Sequence, residues 1–426
     1  MRIVCIGGGP AGLYFAISAK RRDAGHDITV IERVPPGATY GWGVVYWDDL
    51  LDILFRNDPD SAQAIRAASV LWQEQRVILC NDQAAYLPGY GFSVGRATLL
   101  DVLSERATEL GIDIEYRHEV DDLSAVADAD LVVVCDGANS RVRALHREDF
   151  GARVDVGGNP NLWLGTDKVF DSFTFAFEQT SAGWIWFHGY PSSVGISTCI
   201  VECAQRTWQA LGFGSLNSED GTRLLEKIFE NALDGHSLIN QSGGEPARWL
   251  HFTQVTNKTW CHDNLVLMGD AAHTTHFTLG SGTRLTMIDA VMLAQSLYEH
   301  EQLSDALGAY DRRGRAALRS IQAGARISMA WFERADQYLD RDAVAFVYSM
   351  AARQGPQPPW RYQLHLATQV PAVRIALRGF NTVRRHYLAR RRGESTTAPT
   401  IKQRGATESP DFYELIMEGI ARRHTQ

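Results

Sequence analysis

The stretch that most restricts this chain runs from Arg2 to Glu32. Arg2-Ile-Val-Cys-Ile6 is a short apolar run rich in β-branched residues; Gly7-Gly-Gly-Pro-Ala-Gly12 follows, and an Ala/Leu/Phe-rich stretch leads on to Lys20-Arg21-Arg22. The pattern predicts strand, tight turn and helix, with a second strand over residues 28–31 that ends at Glu32, twenty residues after Gly12. Gly7, Gly9 and Gly12 form Gly-x-Gly-x-x-Gly. The first allows the tight turn, the second lets backbone approach a pyrophosphate, and the third lets helix pack on strand. Pro10 suits a first helical position, and the unpaired N–H groups of that helix start, around Ala11, favour an anion. Glu32 is placed to accept hydrogen bonds from an adenosine ribose. A glycine-rich turn without a ligand would need none of this context, so the unit predicts a dinucleotide, FAD or NAD.

The chain has 426 residues, 45% hydrophobic and 22% charged, which is ordinary for a globular protein of two or three domains and excludes a small stapled scaffold. A net charge of −8 argues against nucleic acid as the main partner. The charge is uneven, however: residues 343–393 contain nine Arg and no Asp or Glu. The six cysteines are scattered with no Cys-x-x-Cys pair and no histidines at zinc spacing, so neither a metal nor a disulfide framework is expected, and reduced thiols fit a cytoplasmic location. No run of 18 apolar residues predicts a transmembrane segment, and Met1-Arg2-Ile3 leads straight into the glycine turn without the apolar core of a signal peptide.

Further along, residues 97–110 read as a helix and Asp130-Leu-Val-Val-Val-Cys135 as a buried strand of the same sheet. From about residue 162 to 203, aromatic and Thr-rich segments such as Phe173-Thr-Phe-Ala-Phe177 and Trp184-Ile-Trp-Phe187 alternate with Gly, Ser and Pro, which is an antiparallel-sheet composition. A strand returns over residues 264–268, a long helix follows over 283–299, and residues 304–336 read as largely helical. Gln354-Gly-Pro-Gln-Pro-Pro359 reads as a linker and residues 393–410 as disordered.

Further cofactor motifs follow the opening glycines. Asn264-Leu-Val-Leu-Met-Gly-Asp-Ala-Ala-His273 ends a strand with Gly269-Asp270, Gly280-Ser281-Gly282 opens the next helix, and Asp136-Gly137 closes the strand at 130–135; Arg96 opens a helix after Gly95. With the opening glycines, this set resembles the class A, para-hydroxybenzoate hydroxylase-like FAD-dependent monooxygenases over residues 1–350. Gly41-Trp-Gly-Val-Val45, Trp163-Leu-Gly-Thr166, Ser197-Thr-Cys-Ile-Val-Glu-Cys203 and His276-Phe-Thr-Leu-Gly-Ser-Gly282 are similar to one branch of that family: salicyloyl-CoA 5-hydroxylases, anthraniloyl-CoA monooxygenases and the tryptophan hydroxylase of violacein synthesis. Phe277 replaces a usual proline and Arg284 a common asparagine. Gly183-Trp-Ile-Trp186 also resembles a flavin-dependent halogenase motif, but Phe187-His188-Gly189 departs from its ending.

The resemblance implies an α/β fold: a Rossmann-like FAD-binding domain with an inserted antiparallel-sheet substrate domain and a helical C-terminal region. The expected division is 1–75, 96–155 and 262–350 for FAD, 76–95 and 156–261 for substrate, and 351–426 for an Arg-rich extension. It implies that Gly7, Gly9, Pro10, Ala11, Gly12, Glu32, Arg33, Val44, Arg96, Asp136, Gly137, Asp270, Gly280, Ser281 and Gly282 contact FAD. NADH or NADPH is implied as a transient reductant, since there is no second Gly-x-Gly-x-x-Gly, and O2 as co-substrate, added at flavin C4a to give a hydroperoxide that attacks an electron-rich aromatic ring. Aromatic substrate, possibly CoA-linked, is the expected partner, to a monomer or homodimer. Trp42, Phe175, Trp186 and Phe277 are candidate substrate contacts, although core packing explains alternate members of the aromatic strands equally well. A base near a substrate phenol would raise ring electron density, and His188, Tyr190 and His276 are the candidates, each open to a purely packed, structural role. The arginines Arg374, Arg378, Arg384, Arg385 and Arg390-Arg-Arg392 could meet CoA phosphates, a neighbouring subunit or an anionic membrane, or form a solvated tail helix.

Overall fold

The computed structural model describes residues 1–394, apart from 39–40, 81–82, 243–244 and 354. Its first layer grows directly from the opening unit. Strand Arg2–Ile6 pairs in parallel with Asp27–Glu32 on one side and Leu131–Val134 on the other, and Leu265–Leu267 and Asp113–Tyr116 extend the sheet outward. Short apolar runs with both faces covered are what a parallel sheet demands, and Leu131–Val134 is buried at every position. Helix Pro10–Arg22 starts with its proline, ends in three basic residues that complement the helix dipole, and is covered by helix Gly282–Glu299. The predicted elements at 28–31, 97–110, 130–135 and 283–299 appear as Asp27–Glu32, Arg96–Glu109, Leu131–Val134 and Gly282–Glu299.

The second layer is a nine-stranded, mostly antiparallel sheet that includes the early strands Gly43–Tyr46, Val70–Leu79 and Gln83–Gly95 as well as the aromatic segments. Strands Phe173–Thr180, Gly183–Ser193 and Ile196–Cys203 lie side by side. Their pleat separates two faces. Ile185 and Phe187 enter a core with Phe213 and Phe229 of the helical stretch after residue 204. Phe175, Phe177 and Trp186 enter another with Phe332 and Phe346 from the C-terminal helices Leu303–Phe332 and Ala343–Ala351.

The basic segment forms helices Pro359–Thr368 and Pro371–Arg392, the latter capped by Gly393 in the left-handed region. Of the expected disordered stretch, Gly393 and Glu394 are ordered and the rest lies outside the described residues. The long helix is neither a free tail nor an open phosphate site along its whole length. Arg374 (Nη2 at 2.7 Å) and Arg378 both grip Glu74, a buried residue at a strand bulge, and Arg392 pairs with Asp48, Asp52 and Glu394. Arg384, Arg390 and Arg391 remain exposed. No helix among the described residues is long and apolar enough to cross a membrane.

Burial alone would push the Glu74 carboxyl up, but its two arginines more than offset this and hold it below the usual range. A depressed carboxylate stabilises the fold at neutral pH and loses that contribution as pH falls through its folded pKa. Glu74→Gln should cost about 2 kcal/mol at neutral pH, between an exposed ion pair and a fully buried one. Urea unfolding checks this, and an unchanged midpoint would reduce the clamp to a surface ornament.

Candidate functional site

The glycine turn leaves a cleft of about 460 Å³ at the C-terminal ends of the parallel strands, lined by Gly7, Gly9, Glu32, Arg33, Arg96 and Asp136 with Gly137. Gly12 is fixed by contact: a Cβ there would fall 2.1 Å from the Gly7 carbonyl oxygen. Gly9 is different, because a Cβ there meets nothing within 4 Å. Its backbone faces open space at the start of a helix with no side-chain cap and no acid in its first turn, which is the arrangement that receives a phosphate.

Glu32 accepts hydrogen bonds from the Gly8 N–H at 2.7 Å and the Val34 N–H at 2.9 Å, which orients the carboxylate and leaves further lone pairs for a ribose. Asp136 accepts from the Arg141 N–H through Oδ2, whereas its Oδ1 is buried without a hydrogen-bond partner. Burial raises the Asp136 carboxyl, and an orphaned buried oxygen beside an open cleft is a place for a ligand hydroxyl or amide. Arg96 donates its backbone N–H to the Trp42 carbonyl at 2.8 Å; burial lowers its guanidinium pKa, against the pull of Asp270 and Glu32. Asp270 lies on the turn Gly269–Ala271, and burial raises its carboxyl against Arg96 and His273. Beneath it, His273 Nε2 and Asp289 Oδ2 stand 2.6 Å apart, and Asp289 also accepts from the Gly269 N–H, so the loop is held from behind. Ser281 is the uncapped N-terminus of Gly282–Glu299, again with no acid in the first turn, after Gly280 in the left-handed region. Two helix starts, an orphaned carboxylate oxygen and an unfilled glycine cradle fit a dinucleotide such as FAD.

A sequence profile described as FAD binding domain matches residues 83–324, more than half the chain. A 3-hydroxy-4-methyl-anthranilyl-[aryl-carrier protein] 5-monooxygenase of Streptosporangium sibiricum is 34% identical over 363 residues, covering 85% of this chain and 96% of that protein. The chain belongs to the FAD-dependent monooxygenases. A salicyloyl-CoA 5-hydroxylase of a Streptomyces species is 38% identical over 349 residues, covering 80% of this chain but only 66% of that longer protein. Among solved structures, tetrameric 2-methyl-3-hydroxypyridine-5-carboxylic acid oxygenase superposes with a TM-score of 0.63 at 21% identity, over 78% of this chain and 90% of that one, and so shares the fold.

In this monooxygenase His188, on strand Gly183–Ser193 of the large sheet, faces the loop that follows Asp270. Its ring is 2% exposed and lies 4.8 Å from Phe175, 5.2 Å from Phe332 and 5.7 Å from Phe277, centroid to centroid. Phe277 belongs to the loop that follows Asp270, and His276 stacks on it at 4.2 Å. His188 Nε2 makes no hydrogen bond among the described residues and stands 3.8 Å from Glu202 Oε2. Burial lowers both His188 and His276 to about 3, so each is a neutral imidazole at ordinary pH and a weak base. Trp42 lies over Gly165, with its indole N–H buried and unpartnered among the described residues.

Other predicted residues sit elsewhere. Val44 is packed in the core around the parallel sheet and, like Asp270, Gly280, Ser281 and Gly282, is not among the residues that line this cleft. The Tyr190 hydroxyl already donates to the Gly43 carbonyl at 2.8 Å, which occupies the proton a catalytic phenol would use. Trp186 donates its indole N–H to Glu202 at 3.2 Å while its ring stacks on Phe177. Arg284, at the departed asparagine position, is buried in an ion pair with Asp49 at 2.6 Å. His146, Asp149 and His262 gather their potential ligand atoms within 4.8 Å of one another, away from the cleft lining.

Glu202 is a candidate site residue that sequence reasoning passes over. It is 1% exposed, receives the Asn159 amide at 2.8 Å as well as Trp186, and burial pushes its carboxyl up to about 7. It is the group here whose proton affinity matches neutral pH. A carboxylate on an otherwise apolar, buried strand was the available signal.

Proposed function

We propose that the protein hydroxylates an aromatic acyl thioester, with NADH or NADPH as reductant and O2 as oxidant. The carrying observation is the position of His188, walled by three phenylalanines from three different elements and backed by Glu202, against the loop that bears Asp270. The names of the two relatives, which act on a salicyloyl and an anthranilyl group held as thioester or on a carrier, support the substrate class.

Bound FAD supplies the oxygen chemistry. The chain's own residues do the rest. Phe175, Phe277 and Phe332 exclude water and hold a flat ring. His188 accepts the proton of a ring hydroxyl at one nitrogen while releasing its own from the other, so the imidazole never has to carry a lasting charge in its apolar setting. Glu202 receives that proton, 3.8 Å from Nε2. A ring that has lost this proton is more electron-rich and reacts faster with an electrophilic oxygen. All six cysteines are free, which supports action in a reducing compartment, the cytoplasm.

The test is NADH and NADPH oxidation by the FAD-loaded protein with salicyloyl-CoA, anthraniloyl-CoA and tryptophan offered separately. An aromatic acyl thioester should stimulate oxidation by at least about tenfold, equivalent to ~1.4 kcal/mol of barrier, and give a product heavier by one oxygen atom. Stimulation by tryptophan alone would move the substrate to free indoles. No stimulation by any of them would refute the reading.

A further inference from the structure

Arg353 follows helix Ala343–Ala351 and was, in sequence, only one of the nine arginines of the basic segment. In the fold it is set apart from the rest. Arg374, Arg378 and Arg392 are paired with carboxylates on the molecule's flank, whereas Arg353 turns inward to the second face of the large sheet. Its Nε donates to Ser328 Oγ at 2.8 Å and its Nη1 to the Met350 carbonyl at 2.6 Å. Nη2 makes no hydrogen bond, and no carboxylate lies within ion-pairing distance, among the described residues. The guanidinium carbon is 5.9 Å from the centre of the Phe332 ring, which also lies 5.2 Å from His188.

A line of hydroxyls ties this cation to the cofactor loop. Ser328 Oγ is 2.9 Å from Thr278 Oγ1, which is 2.9 Å from His276 Nδ1. Both histidines nearby are neutral, so nothing among them balances the charge. Withdrawing a cation even partly from water without a counter-charge is unfavourable. A guanidinium fixed by two hydrogen bonds, with one nitrogen uncommitted and Phe332 beside it, is a receptor for an anionic oxygen carried on an aromatic ring.

We propose that Arg353 is a specificity-determining residue that binds the ring hydroxyl of the substrate as its phenolate. This rests on the hydroxylase reading above. An acyl group held as a thioester is uncharged, so on the aromatic acyl part of such a substrate the ring oxygen is the atom that can become an anion and meet the cation, once its proton has passed by His188 to Glu202. Arg353 and His188 thereby hold the same oxygen from two sides, and Phe332 spaces them.

The experiment uses FAD-loaded protein and the perturbation of flavin absorbance by four probes: salicylamide, benzamide, salicylate and benzoate. Salicylamide has the ring hydroxyl beside an uncharged acyl group; benzamide lacks the hydroxyl. In Arg353→Met, salicylamide affinity should fall by about 10- to 100-fold, the range of a charge-assisted hydrogen bond, with benzamide unchanged and FAD content at the wild-type level. Arg353→Lys, which keeps the charge, should recover part of the loss. Equal losses for salicylamide and benzamide would make Arg353 a packing residue and overturn the proposal, as would no loss for either. A loss confined to salicylate and benzoate would assign the charge to a carboxylate instead, and also overturns it. Thioester-stimulated NAD(P)H oxidation in the wild type separates the two levels: its presence with an indifferent Arg353→Met variant refutes this inference alone, and its absence refutes the hydroxylase reading.

Discussion

A Gly9→Val variant is expected to fold normally and to emerge from purification without FAD. Gly9 has φ −75° and ψ −178°, extended backbone that valine adopts freely, and the added side chain meets no protein atom within 4 Å of its Cβ. The space it fills is the space a pyrophosphate needs in order to reach the helix start. FAD affinity should therefore drop by at least about 100-fold, or ~2.7 kcal/mol, with little change in thermal midpoint of the apoprotein. Gly12 makes the contrast. There a Cβ collides with the Gly7 carbonyl and comes within 2.9 Å of Cys135 Sγ, so Gly12→Val should damage the fold itself. Circular dichroism and flavin absorbance on the two variants separate loss of ligand from loss of structure. A yellow Gly9→Val protein with full flavin content would remove the cleft as the cofactor site.

Glu202→Gln is expected to change how stability depends on pH. The Glu202 carboxyl rises from an ordinary 4.5 to about 7 in the fold. Its folded pKa lies above its unfolded one, so the protein is favoured below about pH 4.5 and loses that contribution as pH climbs through about 7, where the buried group must ionise. The full loss is ~3 kcal/mol, from 1.36 kcal/mol per unit. Glutamine keeps an acceptor for Asn159 and has no such slope. Relative to wild type, the variant should therefore gain about 2 to 3 kcal/mol between about pH 5 and about pH 8 in urea unfolding. If Glu202 also receives the substrate proton, the same variant should hydroxylate more slowly while retaining FAD. An identical stability difference at the two pH values would show that Glu202 does not ionise in this range.

The FAD half of the site is legible in sequence because its chemistry is local. A strand, a turn that only glycine can make, a helix start and an acid at a set distance are all specified within 31 residues, and Arg2–Ile6, Pro10–Arg22 and Asp27–Glu32 form where the pattern places them. The later glycine turns and acids around Asp136, Asp270 and Gly280 are legible for the same reason. The substrate half is assembled from distant pieces. Glu202 acquires its raised proton affinity from enclosure by other strands, against the hydrogen bonds donated by Asn159 and Trp186, none of them adjacent in sequence. Arg353 is chemically identical to the eight other arginines of its segment, and only the crossing of Ala343–Ala351 over the large sheet makes it a half-buried cation with no carboxylate partner among the described residues. Tyr190 shows the converse: its position on the aromatic strand suggested chemistry, and a backbone carbonyl from a neighbouring strand claims its hydroxyl.

The central claim is that this chain inserts one atom of molecular oxygen into an aromatic ring. The direct measurement is turnover of the FAD-loaded protein with NAD(P)H and an aromatic acyl thioester under isotopically heavy dioxygen in ordinary water, with mass analysis of the product. One heavy oxygen atom in the hydroxylated product is the predicted result. A product whose new oxygen comes from water, or NAD(P)H oxidation that yields only hydrogen peroxide with every aromatic thioester offered, would contradict it.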